Sequence, residues 1–279
     1  MFTLLTPDRY PSAAPIFQPL DLHLTIASIL AGYTPGQIAV DDPQAPTAAA
    51  AWFGHKLFLA GNSRNVDFIQ QLSAYFDQVL FPQARQRGQE VFIAFLADAA
   101  WKTQFSTLFG SNFARQVDAP RQVHTFRSGA NRFDTAWREK IPAGLHLSPV
   151  DAQLLAQTHL KHMDYLTDET QSERSSVQDF LDHSFGVCLH TDESLIAWCL
   201  SEYNAGARCE VGIATVDEYQ RRGLGTLVGS AFIEEALKRG IAEIGWHCWA
   251  RNEASAALAR RLGYALMLDY PVTVCCFED

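Results

Sequence analysis

The stretch that most restricts the fold lies between residues 208 and 239. Arg208–Thr215 reads as a strand. It empties through Val216-Asp-Glu-Tyr-Gln220-Arg-Arg-Gly223-Leu-Gly225-Thr226 into a segment, Gly223–Arg239, that reads as a helix. The first N–H groups of such a helix have no intrahelical partner. With the helix dipole they attract an anion. Gly223 and Gly225 allow the backbone to approach a diphosphate closely, and Arg221 and Arg222 add positive charge. On this pattern alone a phosphate site and a plain turn both stand. The loop is not a P-loop, because the Gly-Lys-Ser/Thr ending is missing. Nor does it suit a dinucleotide fold. The strands expected before it, Phe185–His190, Leu195–Tyr203 and Arg208–Thr215, are separated by hairpin-like turns and not by crossover helices.

The segments around the loop complete an order of strand, helices, three antiparallel strands, helix, strand, helix and two strands. Leu145–Leu147 reads as a short strand, and Ser148-Pro149 as a helix start, with Ser148 and Asp151 as a capping pair. Thr167–Ser176 is polar and reads as a mobile loop. Glu243–Trp249 is a strand, Glu253–Leu262 a helix, and two strands are expected around Tyr270-Pro271. In the first half, strands are expected at Gln37–Asp41, Ala48–Phe53, Lys56–Ala60, Glu90–Leu96 and Gln122–Phe126. Helices are expected at Leu20–Leu30, from Asn62–Asn65 to about Leu80, and at Ala99–Leu108 behind an Asp98 cap. Asn131–Pro142 is polar and reads as a boundary between an N-terminal domain, 1–140, and a C-terminal one, 141–279.

A net charge of -9 argues against a nucleic-acid partner. No apolar run approaches the roughly 20 residues of a membrane helix, and the start, MFTLLTPDRYPSAAP, lacks the pattern of a secretory signal. The six cysteines lie on apolar segments of the second half without CxxC or zinc spacing, so buried free thiols in a reducing, cytoplasmic setting are expected, and no metal.

Gln220-x-x-Gly223-x-Gly225 after a strand resembles the pyrophosphate loop of the GNAT superfamily of N-acetyltransferases. Asn252-x-x-Ser255-x-x-Leu258-Ala259-x-x-Leu262-Gly263-Tyr264 resembles that superfamily's fourth helix and following strand. The resemblance covers about 135 residues in the same element order. It implies a mixed, mostly antiparallel α/β (α+β) sheet flanked by helices. Acetyl-CoA is the implied cosubstrate. Ile213, Ala214 and Thr215 would bind the pantetheine arm through their backbone. Gln220, Arg221, Arg222, Gly223, Leu224, Gly225 and Thr226 would form the pyrophosphate loop, with Asn252 and Ser255 adding contacts from the fourth helix. For Asn252 the bland reading is a simple helix N-cap, and both roles can hold at once.

Acetyl transfer needs a base for the amine and a proton for the departing thiolate. Glu210 stands where many members carry a base. The usual tyrosine acid falls at Ala259, so Tyr264, Tyr270 or water is left for that role. His247 reads as a packed strand residue or a proton relay, and Cys248 as a buried thiol before a nucleophile. His159-x-x-His162 offers two ligands only and reads as a solvated helix face. The loop, with Trp246-His-Cys248 and Asn252-x-x-Ser255, is similar to the two-domain subgroup that includes a zwittermicin-resistance acetyltransferase. The first half is then a diverged GNAT-like copy without a cofactor loop. The expected activity is acetyl transfer to a primary amine of a small molecule. A non-catalytic acyl-CoA sensor or scaffold, and a protein acetyltransferase acting on lysines or N-termini, are the alternatives.

Overall fold

The computed structural model describes residues 2–277; Met1, Glu278 and Asp279, at the outer ends of the two expected domains, lie outside the described residues. The chain divides into two compact units, Met1–Pro120 with Pro271–Asp279, and Arg121–Tyr270.

In the first unit, β1 (Thr3–Leu4), β2 (Gln37–Val40), β3 (Ala48–Phe53) and β4 (Lys56–Gly61) pair as antiparallel neighbours. The chain then crosses through helix Val66–Tyr75, a π turn at Phe76–Leu80 and helix Phe81–Gln86 to β5 (Val91–Leu96), which runs parallel to β4. Residues 273–276 pair with β5 antiparallel. The Asn65 side chain caps the crossover helix by accepting from Phe68 N–H. The helix buries Phe68, Ile69 and Leu72 against Ala48, Ala50, Trp52, Leu57 and Leu59. β6 (Phe113–Arg127) leads into the second unit.

The second unit repeats that plan. β7 (His146–Pro149), β8 (Gly186–His190), β9 (Leu195–Ala205) and β10 (Arg208–Thr215) are antiparallel neighbours. Helix Leu224–Lys238 crosses to β11 (Glu243–Trp249), parallel to β10, and residues 121–127 of β6 pair antiparallel with β11. Helix Glu253–Arg261 and β12 (Ala265–Phe277) follow. One face of the strands packs Cys199, Cys209, Val211, Ile244 and Trp246 against Leu227, Val228, Ala231 and Phe232 of the crossover helix. The other face packs Trp198, Leu200 and Cys188 against Leu154, Met163, Leu166 and Phe180. Each such fully buried side chain contributes about 1.5–3 kcal/mol. The expected mixed, mostly antiparallel sheet with flanking helices is therefore present.

Five local expectations are corrected. Ser148-Pro149 does not start a helix: both lie in β7, and Asp151 caps helix Ala152–Leu155 by accepting from Leu154 N–H. Most of Thr167–Ser176 is helical, since Met163–Ser172 forms one helix in which Thr167 and Thr170 hydroxyls bond back to the Met163 and Thr167 carbonyls. His159 and His162 precede that helix and share no helical face. The two strands expected around Pro271 are one, and the short strand at Gln122 extends back to Phe113 through Pro120. Proline lacks a ladder N–H, which is why both strands looked broken. Pro120 and Pro271 stand at the two points where the chain passes between units.

Candidate active site

The end of β10, the loop after it and the start of helix Glu253–Arg261 enclose a cavity of about 620 Å³. Ile213, Ala214, Thr215, Gln220, Arg221, Gly223, Gly225, Thr226, Asn252 and Ser255, all expected at the site, line it. A short 3₁₀ turn, Asp217–Tyr219, folds the chain back after Thr215. The Gln220 amide donates to the Thr215 carbonyl at 3.2 Å and to the Asp217 carboxylate at 2.7 Å, which holds the loop shut on itself. Arg221 and Gly223 are both left-handed, with φ of +62° and +79°. Such a conformation is uncommon for arginine; here it turns the backbone immediately before the helix N-terminus. Gly223 is the N-cap of the helix, and Thr226 N–H donates to its carbonyl at 3.0 Å. A Cβ on Gly225 would stand 3.2 Å from Leu258 Cδ2, so the small residue keeps the loop close to the second helix.

Two expected residues lie elsewhere. Arg222 projects over the Tyr219 ring, 5.2 Å from its centroid, and Leu224 is buried in the core. Asn252 caps its helix, accepting from Ser255 N–H at 3.0 Å, while the Ser255 hydroxyl accepts from Trp246 Nε1 at 3.0 Å. Both roles are structural and both residues still line the cavity. Sequence reasoning missed Trp246, Ala254, Leu258 and Arg261 as lining residues. Arg261 had a signal: Asn252, Ser255, Leu258 and Arg261 follow at intervals of three along one helix face. It brings a second guanidinium to the cavity beside Arg221.

Glu210 sits at an irregularity in the sheet. Cys209 pairs with Asn204 but Val211 with Ser201, so Glu202 and Tyr203 together stand opposite Glu210. Cys209 and Val211 pack with the crossover helix, and Glu210 faces the other way. It is 7% exposed. Its carboxylate lies 3.5 Å from His247 Nε2, and His247 Nδ1 lies 2.7 Å from the Tyr270 hydroxyl. Burial raises the Tyr270 phenol above its ordinary value, and Arg121 acts in the opposite direction. Further carboxylates gather nearby. Burial, then Glu173, Glu202 and Glu210, hold the Tyr203 phenol well above its usual range. Burial also raises Glu169, which accepts from Trp198 Nε1 at 2.8 Å.

Tyr264 is enclosed at 4% exposure, its ring against Trp246 and Phe126, and it does not line the cavity. Burial holds its phenol well above the ordinary value. Ala259 faces the core. Burial likewise raises the Cys248 thiol, and pushes Cys188 and Cys275 up to about 12, which keeps these sulfurs protonated and inert. Among the described residues, no group of three or more His, Cys, Asp or Glu is placed to hold a metal, and no helix is long and apolar enough to cross a membrane.

The GNAT acetyltransferase family model matches residues 14–273. The chain is 24% identical over 271 residues to the "uncharacterized N-acetyltransferase YdfB" of Bacillus subtilis, covering 96% of each protein. Its structure resembles a GCN5-related N-acetyltransferase-like protein from Streptococcus suis, with a TM-score of 0.69 at 20% identity over 97% of this chain and 99% of that one. It also resembles a tandem GNAT protein from the clavulanic acid biosynthesis pathway, with a TM-score of 0.60 at 11% identity over 100% and 99%. Likeness at these identities establishes the fold. The family match, by contrast, spans both units and includes the glycine loop, its parallel crossover and the helix behind it. The chain belongs to the GNAT acetyltransferase family and is an acyltransferase.

Proposed function

We propose that the cavity beside Gly223 binds acetyl-CoA, the acyl donor its family uses, and that the protein acetylates a primary amine of a small molecule. The observation that carries this reading is the lining itself. A strand end, a left-handed glycine loop, a helix N-terminus and two arginines meet around about 620 Å³. The β10 residues Ile213, Ala214 and Thr215 offer backbone groups to an extended pantetheine. Arg221, Gly223, Gly225, Thr226 and Arg261 surround the place for the diphosphate. Arg222 sits over Tyr219 at the outer side of the loop.

Glu210 is the proposed base. The amine nitrogen attacks the thioester carbonyl carbon and the C–N bond forms. The C–S bond breaks with its electron pair on sulfur. An amine arrives largely as its cation, so one proton leaves nitrogen for Glu210 before attack; the second, lost once the C–N bond has formed, passes through water to the thiolate, and Glu210 then returns its proton to solvent. Tyr264, walled into the core, is not assigned the acid role. The N-terminal unit, with its repeat of the strand plan, is proposed to be a diverged GNAT-like copy.

Calorimetric titration with acetyl-CoA, using CoA and dephospho-CoA as controls, tests the donor site. Saturable binding is expected. Turnover of a panel of small primary amines and of lysine peptides then tests the acceptor, with the small amines expected to be preferred. Glu210→Gln is expected to lower kcat by roughly 10²–10⁴-fold, the range for general acid–base catalysis, with acetyl-CoA affinity unchanged. Wild-type turnover in that variant would remove Glu210 from the base role.

A further inference from the structure

We propose that Tyr270 and His247 form a hydrogen-bond chain of fixed direction that positions Glu210, with His247 held in its Nε2–H tautomer. The functional half of this inference rests on the reading of Glu210 as the base; the tautomer half does not.

Register and packing bring the three groups together. Glu210 on β10 pairs with Gly245 on β11, and His247 follows two residues along β11 on the same face. Tyr270 comes from β12. Gly245 makes the approach of Glu210 to His247 feasible. A Cβ there would stand 3.2 Å from Glu210 Cγ and 3.9 Å from His247 Nε2.

The direction follows from what each group can do. An ionised carboxylate only accepts, whereas a hydroxyl and an imidazole can each do either. The Glu210 carboxylate lies 3.5 Å from His247 Nε2, which draws the ring proton to Nε2. Nδ1 is then an acceptor, and the Tyr270 hydroxyl, 2.7 Å away, donates to it. The opposite tautomer would aim the Nε2 lone pair at the carboxylate. The 3.5 Å contact is longer than a closed hydrogen bond. Catalytic hydrogen bonds are commonly long until substrate binds.

The chain gives Glu210 what an orienting partner gives any catalytic group: it fixes the direction in which the carboxylate is held. His247 and Tyr270 act through Glu210 and are positioning residues, not catalytic ones. Removing such partners at other sites typically costs about 10–100-fold.

The tautomer is read directly by long-range ¹H–¹⁵N NMR of the histidine rings in the full chain, with His247 assigned by the signals lost in His247→Gln. The wild type is expected to show His247 as Nε2–H, and Tyr270→Phe a mixture of tautomers. An Nδ1–H ring or an imidazolium in the wild type at neutral pH overturns the chain, as does an unchanged pattern in Tyr270→Phe. Turnover is then followed as thiol release from acetyl-CoA with the most active amine of the panel. His247→Gln, whose amide reaches toward Glu210, is expected to keep about tenfold more kcat than His247→Phe, with the KM for acetyl-CoA equal in both. Equal kcat in wild type and both variants refutes the positioning role. Failure of the base reading looks different: a locked Nε2–H ring with full turnover in Glu210→Gln.

Discussion

Gly223 offers the sharpest test of the cofactor loop, because its substitution separates backbone geometry from bulk. At φ +79° it occupies the left-handed region, and nothing lies within 4 Å of a Cβ built on it. Gly223→Ala therefore introduces no clash. Its whole effect is conformational, and an L-residue in this region costs about 1–2 kcal/mol. The free loop can relax away from the strained state, whereas binding a diphosphate on the backbone must restore it. The cost then falls on binding, as a loss of about 5–30-fold in acetyl-CoA affinity. Asparagine tolerates the left-handed region better than alanine does, so Gly223→Asn should bind more tightly than Gly223→Ala despite its larger side chain. The assay is calorimetric titration with acetyl-CoA on all three proteins, with circular dichroism to confirm the fold. If alanine matches wild type, or asparagine is weaker than alanine, the left-handed backbone is not what the ligand needs and the diphosphate assignment fails.

Gly263→Ala should destabilise the second unit without touching the cavity. Its Cβ would lie 1.9 Å from the Arg132 carbonyl oxygen at φ +89°. A loss of about 2 kcal/mol or more is expected, roughly 4–8 °C in Tm; an unchanged melting curve would contradict this. Glu234 accepts two hydrogen bonds from Arg138, at 2.5 and 2.7 Å, and pairs with Lys238, which lowers its carboxyl to about 2. A depressed folded value stabilises above the ordinary carboxylate range and is lost as pH falls through it. The stability gap between wild type and Glu234→Gln, read from denaturant melts, should be full above about pH 4.3 and should close toward about pH 2. A gap independent of pH across that window would show that the ion pair contributes nothing. Finally, acetyl-CoA should bind with a stoichiometry of one per chain; two equivalent sites would mean that the first unit also carries a donor site.

Much of the second unit was legible because its signals are local. Arg208–Thr215 and Glu243–Trp249 have the bounds expected from their apolar runs, and helix Leu224–Lys238 differs from expectation by one residue at each end. The cavity was legible for the same reason, since most of its lining comes from one loop and one helix start. What the sequence hid depends on register. Glu210, His247 and Tyr270 lie on three different strands; the pairing Glu210↔Gly245 brings the first two together, and only side-chain packing shows that Tyr270 meets His247. Tyr264 failed as an acid for a related reason. Its position after Leu262-Gly263 marks a strand start, but only packing shows that Trp246 and Phe126 close around the ring. The helix Met163–Ser172 was hidden by composition. Polar residues cover its outer faces, and Met163, Leu166 and Thr170 alone mark the buried stripe.

The two units share a strand plan and differ at the start of the crossover helix. Both make a parallel crossover from a fourth to a fifth strand through that helix. In the second unit the connection is long, and it ends in left-handed Gly223, where an added Cβ meets open space. In the first unit the connection is Asn62-Ser-Arg-Asn65, and a Cβ at Gly61 would lie 2.1 Å from the Thr47 carbonyl oxygen. Asn65 fills the helix end with its own side chain, and its amide also donates to Asp41 at 2.9 Å. The Asp41 carboxylate takes further N–H groups from Thr47 and Ala48, at 2.8 and 3.0 Å. These bonds hold it below its ordinary value against the opposing effect of burial, so it stays ionised. The helix end that could have received a ligand's phosphate is thus met by an amide and a resident carboxylate, and a second anion there would be repelled. The N-cap of the second unit's crossover helix, Gly223, makes no side-chain cap bond, which on the proposed reading leaves that helix N-terminus to an incoming ligand.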